Sequence, residues 1–305
     1  MYFSGTILKQ LFPLQKIIVS HLLFFLSLNC LAGDPFCFKG SARETGTGGI
    51  CLLDNDTWSS FKNQAALAFN HSINFGFNYE NRFGIKELGT RTACLSIPYG
   101  KVSLGAIYSR FGYSDFRREL FGAACGMTLS KVISGGIQID YITEKTISEY
   151  NNPGILTCEA GVILTIKENL KAGIHLFNPI PNSLRRSGLI SELETSVVLK
   201  LNESLFAAAE IKMRMGQIMF IKTGFEYDAY RKFKVRGGFN SENNSFCFGI
   251  GYEAGPARID IGFATHEKLG VTSSISMTFD INSINHKVHK DLRKERADIN
   301  LYEAW

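Results

Sequence analysis

Beyond residue 32 this sequence has no apolar run of the roughly 18 residues that a spanning helix needs, so no helical anchor is expected in the body of the chain. It carries no His-Glu-x-x-His pair, no Gly-x-Ser-x-Gly elbow and no phosphate-binding loop. Those absences remove the common metal-hydrolase, nucleophilic and nucleotide chemistries. Histidine is sparse: His21, His71, His175, His266, His286 and His289. No catalytic set forms around them, and the acid pair Glu192/Glu194 shows no partner chemistry, so neither enzyme activity nor a cofactor is expected. A strong excess of one charge is lacking too. The 33 Lys and Arg against 28 Asp and Glu leave +5, part of it in the basic run His286–Arg296. A balance so modest and so spread out gives no footprint for nucleic acid. Of the cysteines after residue 32, none has metal-site spacing. Cys37 and Cys51 are close enough in sequence for a local bridge, with two free thiols as the alternative.

What is present begins with an export signal. Lys9 and Lys16 precede the apolar Ile17–Leu28, followed by Cys30-Leu31-Ala32 and Gly33. A positive region, a hydrophobic stretch of signal length and a small residue at the cut place cleavage near Ala32. A membrane anchor is the competing reading, but Ser20 and His21 interrupt a run already short for a span. Lipidation of Cys30 is discounted, because Ser27-Leu28-Asn29 is a poor signal for it. An exported chain without a second hydrophobic helix is either soluble or a membrane β-barrel, whose alternating faces hide from hydropathy.

Alternation decides between them. In Ser72–Tyr79, Ile73, Phe75, Phe77 and Tyr79 share one face, and Ser72, Asn74, Gly76 and Asn78 the other. Period two over eight residues is a strand signal. About fourteen such strands follow one another, through Ile133–Thr143, Lys171–Asn178 and Ile218–Tyr227 to Thr272–Phe279. Their connections alternate between short (Tyr99-Gly100, Ser130–Val132, Ala254–Ala257) and long (Glu80–Arg91, Ser109–Glu119, Glu144–Ile155, Pro179–Ser191). The pattern predicts an all-β fold: a transmembrane antiparallel β-barrel of about 14 strands with an N-terminal luminal plug. The chain divides into a signal peptide (1–32), a plug segment (33–70), the barrel (71–281) and a tail (282–305). A soluble sheet with one buried face alternates in the same way, but would leave open edges.

Parity assigns the faces. Asp140, Lys171, His175, Glu210, Lys212, Arg214, Lys222, Glu226, Lys234, Arg236 and Asp260 fall on the inner side and form a charged luminal wall. Ile137, Ile139, Ile174, Leu176, Ile211, Phe225, Val235, Ile259, Ile261 and Phe263 fall outside. A charge facing lipid at mid-bilayer would cost about 2–4 kcal/mol, so this sorting suits an outer-membrane barrel bathed in lipid. Cys94 and Cys247 point inward, Cys125 and Cys158 outward. His175 reads as a wet, hydrogen-bonded luminal histidine near Lys171.

The segment Lys39–Phe69 is the sizeable stretch of the mature chain that is not strand. Gly46, Gly48 and Gly49 would let its backbone pass close to a wall. Asp56 would cap a helix Thr57–Phe69 with Trp58, Phe61, Ala65 and Ala68 on one stripe. The order Ser41-Ala42-Arg43, Gly46-Thr47-Gly48-Gly49, Asp54–Trp58, Asn63-Gln64-Ala65-Ala66 resembles the start of FadL-type outer-membrane barrels. It resembles more closely their PorV/PorQ-like relatives in Gram-negative bacteria with type IX secretion. The chain departs from that pattern at Gln64, where the family usually has Pro, and at Ala66, where it usually has Gly. The resemblance implies a luminal plug carried by Arg43, Gly46, Gly48, Gly49, Asp56, Trp58, Asn63, Gln64 and Ala65. It also implies an accessory or scaffold role with secretion-system or secreted proteins as partners. The alternative is a FadL-type channel for a hydrophobic small molecule. Either function places the chain in the outer membrane with both termini periplasmic.

Overall fold

A computed structural model describes residues 40–50, 57–146, 154–179, 189–214, 219–230 and 232–281. The expected signal peptide, the tail, Asp56 and the Cys37/Cys51 pair lie outside the described residues. Fourteen antiparallel strands close into a barrel: β1 (Asn74–Asn81), β2 (Gly89–Tyr99), β3 (Val102–Gly112), β4 (Arg117–Thr128), β5 (Ile133–Lys145), β6 (Ile155–Lys167), β7 (Leu170–Phe177), β8 (Glu192–Lys200), β9 (Leu205–Arg214), β10 (Met219–Tyr230), β11 (Phe233–Asn240), β12 (Ser245–Ala254), β13 (Ala257–His266) and β14 (Gly270–Asp280). Each strand pairs with its neighbours in sequence, and β1 closes on β14 from Asn74↔Asp280 to Asn81↔Ser273. The strand count and the all-β architecture are as the alternation predicts. No helix among the described residues is long and apolar enough to cross a membrane.

The wall follows from pleat chemistry. In β12, Phe246, Phe248, Ile250 and Tyr252 point outward, while Ser245, Cys247 and Gly249 are buried toward the lumen. Because the side-chain period is two, one register choice sends every apolar side chain out together. Cys94 and Cys247 are buried inside, Cys125 is half-buried and Cys158 exposed on the outer face, matching the parity reading. The ladders run unbroken save for irregularities at Thr165/Lys167 and Asp228/Tyr230. Both lie at the end of tight turns, where β1 starts and β14 stops.

Two connections differ from expectation. Ser109–Glu119 was predicted as a long loop, but β3 runs to Gly112, β4 starts at Arg117, and four residues join them. The charges Arg110, Arg117, Arg118 and Glu119 read as loop chemistry, yet on a barrel rim alternate positions face water or headgroups and tolerate charge. Glu80–Arg91 likewise shrinks, because β1 extends to Asn81 and β2 starts at Gly89. The single helix Thr57–Phe69 is also corrected. It is two 3-10 turns, Thr57–Phe61 and Gln64–Phe69, broken where Asn63 is extended and its side-chain oxygen accepts from Ala65 N at 3.1 Å. Asn offers the backbone that local alternative to helix, so Trp58 and Phe61 pack in one cluster and Ala65 in another.

Candidate functional site

The N-terminal segment crosses the lumen. A short helix, α1 (Ala42–Gly46), packs on β12 and β13, the first 3-10 turn on β1–β3, and the second on β4–β6. Helix α1 starts at Ser41, whose hydroxyl accepts from Glu44 N at 3.2 Å, while Glu44 accepts from Gly40 N at 2.9 Å. Ser41-Ala42-Arg43-Glu44 is thus a local variant of the Ser-x-x-Glu capping box, a signal present in the sequence but passed over. Glu44 also meets Lys62 at 3.5 Å, tying the two halves of the plug together.

The wall is shaped to receive this backbone. Gly126, Gly136 and Gly161 pair directly across β4, β5 and β6. Side chains there would run into the backbone of Gln64 and the side chain of Asn63. A second seat pairs Gly224 with Gly238 and Gly249 with Gly262. A Cβ on Gly238 would lie 2.5 Å from the Thr47 carbonyl carbon, and one on Gly46 2.9 Å from Gly249 Cα. Gly48 needs φ +81, and a Cβ on it would lie 2.8 Å from Thr223 O. The wall glycines were missed. Their signal was glycine recurring at inward parity on consecutive strands, where close backbone approach demands it.

Polar contacts anchor the plug at both seats. Arg43 donates to Glu226 through Nε (2.8 Å) and Nη2 (2.9 Å). Arg236 donates to the same carboxylate at 2.5 Å and meets Asp260 at 2.8 Å, which in turn accepts from Arg258 at 2.9 Å. Lys234 stands 3.8 Å from Glu226 and remains partly exposed. On the opposite wall Gln64 donates to Glu159 at 2.6 Å. His175 lies between Glu159 (3.0 Å) and Glu194 (3.3 Å). It is 6% exposed, so the expected hydrogen bonding of this luminal histidine is present, on two carboxylates, while its expected wetness is not. Lys171 sits instead over the Phe69 ring, 4.2 Å from its centroid. Lys222 joins Glu194 (3.4 Å) and Glu210 (2.6 Å) and donates to Gly49 O at 3.1 Å.

The remaining inward charges gather near the rim of long connections. Lys212 meets Glu192 at 2.9 Å, and Arg214 meets Glu192 and Glu242 at 2.5 Å each. Glu192 and Glu194, which form no catalytic set, are hubs of this ion-pair network, and Glu159 and Glu242 belong to it as well. Asp140 is fully buried and accepts from Gln138 at 2.7 Å. Pairing of this kind is what allows so many charges to leave water. Among the described residues no group of three His, Cys, Asp or Glu is placed to hold a metal ion.

Glu242 sits in the turn between β11 and β12, beyond the strands. Burial alone would raise its carboxyl, but Lys212, Arg214 and Lys222 and the hydrogen bond from Arg214 outweigh that and hold it below the usual carboxylate range. A folded pKa below the unfolded one gives stability that is present above the unfolded value and lost as pH falls through the folded one. Glu242→Gln is therefore expected to destabilise the barrel at neutral pH. The gap from wild type should close on acidification below about pH 4.5, read from urea midpoints in micelles. A gap independent of pH would mean that Glu242 acts through packing alone.

One part of the inner wall is apolar. Trp58 and Phe61 of the plug pack with Cys94, Ile107, Leu120 and Ile142, flanked by the half-buried Ile155, Phe177 and Leu189. Trp58 Nε1 donates to Thr278 Oγ1 at 2.9 Å, and the indole lies over Gly76, where a Cβ would meet it at 2.7 Å. Next to this seam, on the side of the long connections, a recess of about 70 Å³ has Phe61, Leu120 and Phe177 on one side and charged groups of both signs, Arg214, Glu159 and Glu194 among them, on the other. The recess suits a few waters or a very small molecule and falls short of an ordinary ligand pocket.

No protein-family model matches the chain, and no curated protein matches it. Solved structures do. The Ralstonia pickettii toluene transporter TbuX aligns with a TM-score of 0.62 at 11% identity, over 80% of this chain and 99% of that one. The Pseudomonas putida toluene transporter TodX gives 0.59 at 10%, over 81% and 98%. A Pseudomonas aeruginosa FadL homologue gives 0.58 at 11%, over 79% and 98%. At such identities the likeness establishes the fold, which is that of the FadL-type barrels.

Proposed function

We propose that this chain is an outer-membrane barrel that admits a hydrophobic small molecule, with residues 40–70 as its gate. The observation that carries the reading is the apolar seam from Ile107 through Leu120 and Ile142 to Trp58 and Phe61. It runs along the inner wall between charged stretches and ends on the plug itself; a second apolar cluster, Ile163, Val198 and Ala208 with Ile50 and Ala65 of the plug, lies across the lumen. An apolar ligand entering from the long connections would meet this seam first, and a ligand against Trp58 would compete with the contacts that hold the plug. That the neighbours include transporters for toluene supports the same class of cargo. In this reading residues 1–32 are removed on export, and both termini and the tight turns face the periplasm, with the longer loops outside.

The chain has two tryptophans, Trp58 and Trp305, so a Trp305→Phe protein reports on the seam alone. Titration with toluene in micelles should change Trp58 emission saturably. Leu120→Asp in that background should weaken the response by about tenfold, as expected when a charge enters an apolar site. A linear, unsaturable response unaffected by Leu120→Asp would sink the proposal.

A second reading has its own observation. The buried Arg43–Glu226 pair fastens the plug to the wall, which suits a closed barrel acting as a PorV/PorQ-like scaffold for type IX secretion. Unaltered surface delivery of secreted proteins in a deletion strain would remove it.

A further inference from the structure

On the outer face, at the rim of long connections, β2–β5 carry charge where the other strands do not. Arg91, Arg110, Glu119, Arg117 and Lys145 share the outward parity of Leu95, Ala106, Phe121 and Tyr141. The corresponding outward positions on β6–β14 include Leu156, Leu176, Leu193, Met213, Phe246 and Val271. The basic residues are packed together by register. Arg91 lies directly opposite Arg110, and Arg117 opposite Lys145. Like charges in directly opposed positions destabilise a sheet, so four cations sharing this corner break a local rule.

Among the described residues the compensation is one carboxylate, Glu119, directly opposite Arg110 in the ladder. Glu119 is the sole carboxylate on that face of these strands, 3.5 Å from Arg117 and 4.0 Å from Arg110, and it also accepts from Tyr108 at 3.0 Å. The Nε atoms of Arg110 and Arg117 have no hydrogen-bond partner. Arg91 stacks over Tyr79 at 5.7 Å, and Lys145 is exposed. Among the described residues, the other acids near this corner, Glu87 and Asp115, are on exposed loops beyond the rim.

The height of the patch says what covers it. One row below Arg91, Arg110 and Glu119, and two rows below Arg117 and Lys145, are Phe77, Ala93, Tyr108, Phe121, Tyr141 and Leu156, joined by the ladder pairs that link β1 to β6. Below that row the outer face is apolar. Aromatic rows mark the headgroup level of a bilayer, so the cations stand where lipid phosphates stand. Four strands about 4.8 Å apart spread them over roughly 14 Å, the scale of one lipid headgroup bearing more than one phosphate. Arginine's planar fork suits phosphate oxygens.

We infer that the β2–β5 rim is a binding surface for the phosphorylated headgroup of a glycolipid in the leaflet on the side of the long connections. The inference rests on the outer-membrane reading given above. The opposed Arg91/Arg110 and Arg117/Lys145 pairs take a bridging phosphate between them, which converts repulsion into two charge-assisted contacts. One barrel then holds a glycolipid at one fixed sector of its circumference.

The test is native mass spectrometry of the full chain in mild detergent with a bisphosphorylated, lipid-A-type glycolipid. Wild type should retain the lipid. The quadruple R91Q/R110Q/R117Q/K145Q variant should bind about tenfold more weakly or worse. R91K/R110K/R117K, which keeps the charge but not the fork, should bind more weakly than wild type and better than the quadruple variant, and the enzymatically dephosphorylated glycolipid should bind neither wild type nor variant. Equal retention by wild type and the quadruple variant overturns the inference. So does full competition by millimolar inorganic phosphate, which would make the patch a free-anion site. Heat-dependent electrophoretic mobility and insertion into liposomes are recorded in parallel. A chain that inserts but shows equal retention loses the glycolipid surface alone, whereas one that fails to insert loses the membrane reading and this inference with it.

Discussion

Replacing Glu226 by alanine is expected to cost about 3–5 kcal/mol, the penalty for stranding buried charge. Its carboxylate accepts from Arg43 on the plug and Arg236 on the wall, and both arginines are buried. Without it, Arg236 is left with Asp260, which already serves Arg258, and Arg43 loses its bidentate partner on the wall. The measurement is the urea midpoint in micelles, with the loss of heat-dependent mobility as a second readout. Arg43→Met gives the contrast. It removes the plug's cation but leaves Glu226 with Arg236, so the wall should stay close to wild-type stability while the plug loosens. If the two variants lost the same stability, the pair would not be acting as an anchor between plug and wall.

Gly136→Val should unseat the plug. The added carbons would overlap the Gln64 backbone, which cannot swing aside as a side chain could. Overpacking of this kind costs about 1–3 kcal/mol when the core holds its shape. Here the cheaper response is for residues 63–65 to leave the glycine seat. The expected outcome is a barrel that still folds, conducts in planar bilayers where wild type is silent, and exposes Lys62 to trypsin. Gly135→Val is the control. Gly135 is on the outer face, and its Cβ would meet only Leu129, at 3.0 Å from a flexible methyl. A Gly136→Val barrel as silent and protease-resistant as that control would show that the seat has slack.

The strands were legible because alternation is a property of the chain itself. Phe246, Phe248, Ile250 and Tyr252 announce an outer face whatever surrounds them. The charges at inward parity, from Asp140 to Asp260, could be sorted by the same rule. What they touch could not, since Glu194 meets His175, Lys212 and Lys222 only after β7–β10 are laid side by side. The seam was within reach of parity: Ile142 shares a face with Asp140 and Gln138, yet an apolar residue among charges did not register as luminal. The break at Asn63 depended on one side-chain hydrogen bond competing with a helical turn. The glycine seats required knowing what lies against them. The type IX reading came from short motifs around Arg43 and Asn63, and motifs of that length do not separate one branch of a fold from another. The toluene transporters share the fold over about 80% of the chain, and at identities near 10% the fold is all that the likeness carries.

The pairing order has a consequence for assembly. Every contact between strands joins neighbours in sequence except one, the β1–β14 seam. Thirteen of the fourteen ladders join strands adjacent in sequence and cost far less chain entropy than the last, which must bring together ends some two hundred residues apart, the slow kind of contact. The N-terminal segment is made first and touches β4–β6 on one side and β12–β13 on the other. It can therefore act as a mandrel. As the sheet curls, each glycine seat that engages it draws the two edges nearer, so the plug that later obstructs the lumen is also what shortens the search for its final seam.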